Sequence, residues 1–323
     1  MRKLFYLFMV AMCATMFTAC SKDDDKNPLD DNGGNGAKEG MITMIAENDE
    51  IGVDIETFNE GDIITIDWGD GTVEEFKSVE IYDDWDEDGE DEIHYVLSID
   101  SYVEHEYSNR NPHIVTIKGK IKYLDCEDNN LTSLDVSGCT ALTKLDCSYN
   151  NLTLLDVSKN TALTELDCRH NNLTLLNVSG YTALTFLNCY DNNLTSLDIS
   201  KNTALTDLSC GGNNLTSLDI SKNTALTDLY CGENNLTSLD ISKNTALTDL
   251  SCGGNNLTSL DVSKNTALTD LYCGENNLTS SALNQIFRDL PQGKTGNIFI
   301  YDNPGSETCD KSIAENKGWE VYY

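Results

Sequence analysis

The chain has 323 residues, of which 54 are Asp or Glu and 21 are Lys or Arg, for a formal net charge of −33. That length exceeds a single small core and predicts two or three units. Such acidity excludes the phosphate backbones of DNA and RNA, which the chain would repel; cations, cationic surfaces and neutral ligands remain as partners.

Residues 1–19 read as a secretory leader, with Arg2 and Lys3 at the charged start and an apolar run over 4–17. The run ends at Thr18-Ala19-Cys20, which resembles the lipobox of bacterial lipoproteins, although Phe17 stands where Leu is usual. The resemblance implies acylation of Cys20 and attachment to a membrane through that lipid; the alternative is an ordinary signal peptide. Ser21-Lys22-Asp23-Asp24-Asp25 resembles the surface-export signal of Bacteroidota lipoproteins, which implies an outer-membrane lipoprotein exposed at the cell surface. Residues 20–40, with Pro28 and Gly33, Gly34, Gly36 and Gly40, read as a flexible acidic tether.

Over residues 41–119 the pattern is β alternation. Ile63-Ile64-Thr65-Ile66 and Ile114-Val115-Thr116-Ile117 read as strands separated by turn chemistry. Trp68 and Tyr107 are apolar anchors, and Asp70-Gly71 supplies the positive φ of a tight turn. Asp67-Trp68-Gly69-Asp70-Gly71 followed by His105-Glu106-Tyr107 resembles the PKD-type immunoglobulin-like domain, which implies a β-sandwich here.

From residue 120 to 279 a 21-residue period takes over, with cysteines at 126, 147, 168, 189, 210, 231, 252 and 273 in the frame Leu-x-x-Leu-x-Cys-x-x-Asn-x-Leu. A fixed period of this size predicts a solenoid whose repeats bury their apolar sides against one another. Each unit has two similar halves, such as Leu205-Thr-Asp-Leu-Ser-Cys and Leu215-Thr-Ser-Leu-Asp-Ile. This doubled pattern resembles the IRREKO class of bacterial leucine-rich repeats. Leu208 and Cys210 point inward from a strand and Ser209 outward. The first Asn of each pair (Asn129, Asn150, Asn171, Asn192, Asn213, Asn234, Asn255, Asn276) turns inward to satisfy backbone groups at the bend. The second, such as Asn214, is expected exposed in αL geometry. Residues 280–323 read as a small α/β cap that ends the sheet: a helix from Ser280 with a Ser cap, a strand at 297–301, a short helix at 312–317 and a last strand at 319–323. The fold class is thus mainly β, a leucine-rich-repeat solenoid with an N-terminal immunoglobulin-like (PKD-like) sandwich.

Candidate chemistry is sparse. The cysteine ladder lacks the close ligand pairs of a zinc site, and in-register parallel strands oppose disulfides, so the thiols read as small apolar core groups. Asp84-x-Asp86-x-Asp88-Gly89 matches the start of an EF-hand-like loop, but Tyr95 replaces the bidentate Glu; calcium and a solvated acidic hairpin are the two readings, and no other cofactor is expected. Asp207, Asp228, Asp249 and Asp270 should stack as a hydrated outward column, with cation binding as the alternative. A second column, Asp198, Asp219, Asp240 and Asp261, should pair loosely with Lys201, Lys222, Lys243 and Lys264. Outward positions of the earlier repeats vary: Tyr123, Lys144, Tyr149, Glu165, Arg169, His170, Phe186 and Tyr190, with Tyr230 and Tyr272 further on. Aromatics and Arg make binding hot spots, so Tyr123, Tyr149, Arg169, His170, Phe186, Tyr190, Tyr230 and Tyr272 are the candidate ligand-binding residues. No nucleophile elbow, phosphate loop or metal spacing of the four His emerges, which predicts a non-enzyme.

The expected function is a surface lipoprotein that binds a host or bacterial protein or glycan through the sheet face of its repeats. The alternatives are a spacer that displays the sandwich, or an accessory protein of surface polysaccharide use.

Overall fold

A computed structural model describes residues 40–83, 92–98, 102–293 and 295–323. The leader, Cys20, nearly all of the tether, and Asp84, Asp86 and Asp88 lie outside the described residues. Among the described residues, no helix is long and apolar enough to cross a membrane.

Before the repeats the described residues form eight strands: β1 (Met41–Ala46), β2 (Glu50–Thr57), β3 (Ile63–Asp67), β4 (Val73–Lys77), β5 (Val79–Asp83), β6 (Glu92–Val96), β7 (Val103–Glu106) and β8 (His113–Lys118). Period-two alternation decides their facing. Ile42, Met44 and Ala46 of β1, and Ile51, Val53 and Ile55 of β2, are all buried. Trp68 is fully buried, and the Tyr107 hydroxyl donates to its carbonyl at 2.8 Å. His105 stacks on Trp68 at 4.9 Å, with Nε2 2.9 Å from Asp70 Oδ2. The positive φ angles of the turn fall on Gly69 and Gly71; a Cβ on Gly69 would meet the Ile114 carbonyl at 2.4 Å.

The repeats supply β9 (Ile121–Asp125), β10 (Leu131–Asp135), β11 (Lys144–Asp146), β12 (Glu165–Asp167), β13 (Phe186–Asn188), β14 (Asp207–Ser209), β15 (Asp228–Tyr230), β16 (Asp249–Ser251) and β17 (Asp270–Tyr272). From β11 to β17 each strand pairs in parallel with the next at a shift of one repeat, as in Leu208↔Leu229↔Leu250. The first repeat is shared: β9 pairs antiparallel with β2, and β10 with β1. Among the described residues, one sheet of 14 strands and one of five therefore both run across residue 119. Apart from β10, the second halves of the repeats form no strand.

All eight ladder cysteines are buried free thiols, stacked between leucines such as Leu208 and Leu215 that lie wholly out of water. Full burial of one such Leu contributes about 2 kcal/mol. The first Asn of each pair closes the bend. Asn213 Nδ2 donates to the carbonyls of Cys189, Cys210 and Gly211, and its Oδ1 accepts from Leu194 N at 2.9 Å. Since Cys189 and Leu194 belong to the preceding rung, each such Asn ties two rungs together.

Two expectations change, and one further ladder appears. The second Asn is exposed but not generally left-handed: positive φ falls on the residue before the first Asn, at Tyr149, His170, Asp191, Gly212, Glu233, Gly254 and Glu275. There the chain must reverse so that the Asn side chain can enter; only Asn130 among the second asparagines shares the conformation. Among the described residues the Asp198 column makes no ion pair with its lysines; instead Asp198 Oδ1 accepts from Ser200 N at 3.0 Å, a local Asx turn that lowers the carboxyl pKa. Finally, the Lys-Asn-Thr segments hold a second buried ladder, Asn160, Asn202, Asn223, Asn244 and Asn265, each donating to two carbonyls of the preceding rung, as Asn223 does to Ile199 and Asn202.

At the C-terminal end, α1 (Ser280–Asp289) is capped by Thr279, whose Oγ1 accepts from Ala282 N, and not by Ser280. Beyond it the sheet continues. β18 (Gly296–Phe299) and β19 (Trp319–Tyr322) extend the parallel ladder in register, with α2 (Ser312–Glu315) between them. Asn303 takes the ladder role, accepting from Leu278 N and donating to Cys273 and Ile300.

Candidate ligand-binding face

The outward side of the long sheet is ordered in rows because the parallel strands share one register. One row reads Tyr123, Lys144, Glu165, Phe186, Asp207, Asp228, Asp249 and Asp270. The next reads Asp125, Asp146, Asp167, Asn188, Ser209, Tyr230, Ser251 and Tyr272.

At the bend beside these rows, four of the predicted residues meet. The Tyr149 ring stacks on His170 at 4.3 Å, and His170 meets Tyr190 edge-on at 5.5 Å. Arg169 places its guanidinium 5.4 Å from the Tyr149 centroid, while its Nη1 lies 3.0 Å from Asp167 Oδ2. His170 Nδ1 sits 2.7 Å from Asp191. Tyr149 remains 44% exposed. Tyr149 and His170 hold the left-handed position, which disfavours a side chain with a Cβ by about 1 kcal/mol. Later rungs place Gly211-Gly212, Gly232-Glu233, Gly253-Gly254 and Gly274-Glu275 at the same two positions. Large rings thus occupy a strained site that other repeats fill with glycine or a single acid.

The other four predicted residues do not join this cluster. Tyr123 faces the acidic row, its hydroxyl 3.3 Å from Asp125 Oδ2, and burial raises its pKa. Phe186 lies between Glu165 and Asp207 in register. Tyr230 is flanked by Ser209 and Ser251, and Tyr272 stacks on Phe299 at 4.3 Å, which in turn stacks on Tyr322 at 4.5 Å. The same divergent repeats carry two exposed leucines, Leu154 at 66% and Leu175 at 60%, where other repeats have Ser; the substitution of Leu for Ser was visible in the chain.

The Asp207 column is half-buried, not freely hydrated. Burial raises Asp207, and it pushes Asp249 up to about 6 with help from Asp270 and Asp228.

A second acidic group was missed in the sequence. Asp54 of β2 lies opposite Asp125, so Asp54, Asp125, Asp146 and Asp167 form one row across four neighbouring strands. They border clefts of about 340 and 210 Å³ shared with Glu56, Tyr102, Tyr123, Lys144, Glu165 and Phe186. Neighbouring strands are about 4.8 Å apart, and two full charges at that distance repel by about 3 kcal/mol at an effective dielectric constant of 20. Burial, then Asp125 and Glu56, push Asp54 up to about 7; burial brings Asp167 to about 6 and raises Asp125 and Glu127. Recurrence of Asp immediately before Cys126, Cys147 and Cys168 was the available signal; Asp54 had none, because its placement depends on a pairing outside the period.

No protein-family profile matches the chain, and no curated protein matches it. Solved structures do. An internalin (inlF) of Listeria monocytogenes is 20% identical with a TM-score of 0.51, over 62% of this chain and 66% of that one. A leucine-rich-repeat protein of Leptospira interrogans is 20% identical with a TM-score of 0.52, over 62% and 59%. The functional domain of InlJ from Listeria monocytogenes, described as including a cysteine ladder, is 29% identical over 64% and 61%, at a TM-score of 0.37. The chain spans less than two thirds of the length of each. The two likenesses with TM-scores above 0.5 show the fold: the solenoid is a leucine-rich-repeat fold.

Proposed function

We propose that this is a non-catalytic interaction protein that captures a protein or glycan on the sheet side of its repeats, centred on Tyr149, Arg169, His170 and Tyr190. The observation that carries the reading is the joining of two tyrosines, a histidine and an arginine on consecutive rungs, at bend positions where the later rungs carry glycine or glutamate. Aromatic faces with a guanidinium beside them suit both the planar and the polar parts of such ligands, and hot spots concentrate in residues of these types. Lipid attachment at Cys20, export to the cell surface and a PKD-like sandwich over 41–119 belong to the same reading. They are supported by the leader, by the acid run after it, and by the Trp68–His105–Tyr107 contacts.

The test is capture on immobilised glycan and extracellular-matrix protein panels, comparing the wild type with a Tyr149→Ala, Arg169→Ala, Tyr190→Ala triple variant. These side chains are at least partly exposed and lie outside the apolar interior, so the variant should keep the wild-type unfolding midpoint to within a few degrees. Loss of at least tenfold in affinity supports the reading. Full capture by the variant refutes the site and favours the spacer alternative.

A further inference from the structure

We propose that Asp125, Glu127 and Asp146, with the Asp54 carboxylate beside Asp125, bind a calcium-sized divalent cation where β2 meets the first two rungs. Carboxylate oxygens of Asp125, Glu127 and Asp146 lie within 4.8 Å of one another. Two oxygens that share one calcium at 2.3–2.6 Å stand at most about 5.2 Å apart, so the three fit a single ion. The donors are all carboxylate oxygens with no His or Cys, which selects a hard cation over zinc or copper.

Asp54 supplies the independent observation. It is 7% exposed, and its Oδ1 is buried without a hydrogen-bond partner. Ile51, Val53 and Ile55 of the same strand enter the core, so Asp54 takes the opposite face, where it lines the 340 Å³ cleft with Asp125. An orphaned carboxylate oxygen in that place lacks a compensating positive charge. Nearby side-chain cations are engaged elsewhere: Lys122 with Glu56 at 3.0 Å, Lys144 with Glu165 at 3.0 Å, and Arg169 with Asp167 at 3.0 Å. Among the described residues no ion pair reaches Asp54, Asp125, Glu127 or Asp146.

The carboxylates are also held in place from behind. Asp125 accepts from Glu127 N–H at 2.8 Å and from the Tyr102 hydroxyl at 2.8 Å. Asp146 Oδ1 accepts from both the backbone and the hydroxyl of Ser148. Such outer hydrogen bonds orient metal-binding carboxylates and limit the reorganisation that binding requires. A bound ion would join β9 to β11 and offset the buried Asp54 charge on the neighbouring β2. The site uses none of Asp84, Asp86 and Asp88, and it stands whether or not a ligand is captured at Tyr149.

The experiment is calorimetric titration of the full chain with calcium chloride at pH 7.4 after treatment with a chelator, with thermal unfolding followed in parallel. Saturable binding and an unfolding midpoint that climbs with calcium concentration are expected. E127Q/D146N should weaken binding at least tenfold, and D54N, which keeps the side-chain volume, should do so as well. D84N/D86N/D88N should bind like the wild type. Absence of both heat and midpoint shift in the wild type would overturn the proposal and leave Asp54 as a neutral acid. So would binding that survives E127Q/D146N and D54N but vanishes in D84N/D86N/D88N.

Discussion

Asn213→Ala separates the roles of two asparagines that are adjacent in the chain. Asn213 makes four hydrogen bonds, to Cys189, Cys210, Gly211 and Leu194, all at 2.9–3.2 Å and all to backbone groups. Alanine removes them together. At about 1 kcal/mol net for each bond, with a larger cost where a buried group such as the Leu194 N–H is left orphaned, the loss should be about 3–5 kcal/mol. Asn214 is exposed, and its replacement by alanine should change stability by less than about 0.5 kcal/mol. Guanidinium chloride unfolding followed by circular dichroism measures both. The midpoint of Asn213→Ala should fall clearly below that of Asn214→Ala. Equal midpoints, or a cost below about 1 kcal/mol for Asn213→Ala, would refute the idea that this ladder closes the bends.

Two further variants probe the outward face. Asp249 titrates at about 6 when folded and near 3.8 when unfolded, so the folded state binds more protons between those values and stability falls as pH rises through that window. A rise of that size would amount to about 3 kcal/mol for a shielded group; partial exposure reduces it to about 1 kcal/mol. Asp249→Asn should therefore stabilise the protein by about 1 kcal/mol at pH 7 and by almost nothing at pH 4, measured by urea titration at the two pH values; an equal effect at both would contradict the assignment. Glu275 holds φ 52° at an exposed bend, where Gly212 and Gly254 serve in other rungs. Glu275→Gly should raise the unfolding free energy by about 0.5–1 kcal/mol, and a destabilised variant would show that the left-handed position costs nothing there.

The repeat made most of the solenoid legible. Its period alone places Leu208 and Cys210 inside, Ser209 outside and Asn213 inward, because every rung must satisfy the same backbone at the same place. What it hid were features that depend on one position or on contacts outside the period. The left-handed residue precedes Asn213, and the varied identities there (Tyr149, His170, Asp191, Gly212) gave no common propensity to read. Asn303 lies 27 residues after Asn276, because α1 intervenes, so the same ladder role escaped a 21-residue ruler. Of the eight predicted ligand residues, Tyr149, Arg169, His170 and Tyr190 converge because they occupy two neighbouring bend positions. Tyr123 and Phe186 sit on one strand row, and Tyr230 and Tyr272 on the other. The acidic row escaped notice because Asp54 reaches it through antiparallel pairing of β2 with β9, which no local pattern encodes.

Ligand is expected against the bend carrying Tyr149, Arg169, His170 and Tyr190. Amide hydrogen exchange of the full chain, with and without a ligand identified on the panels, tests it most directly. New protection should appear in the segments 146–151, 167–172 and 188–193. Protection confined to residues 41–119, or to the second halves of the repeats, would contradict it.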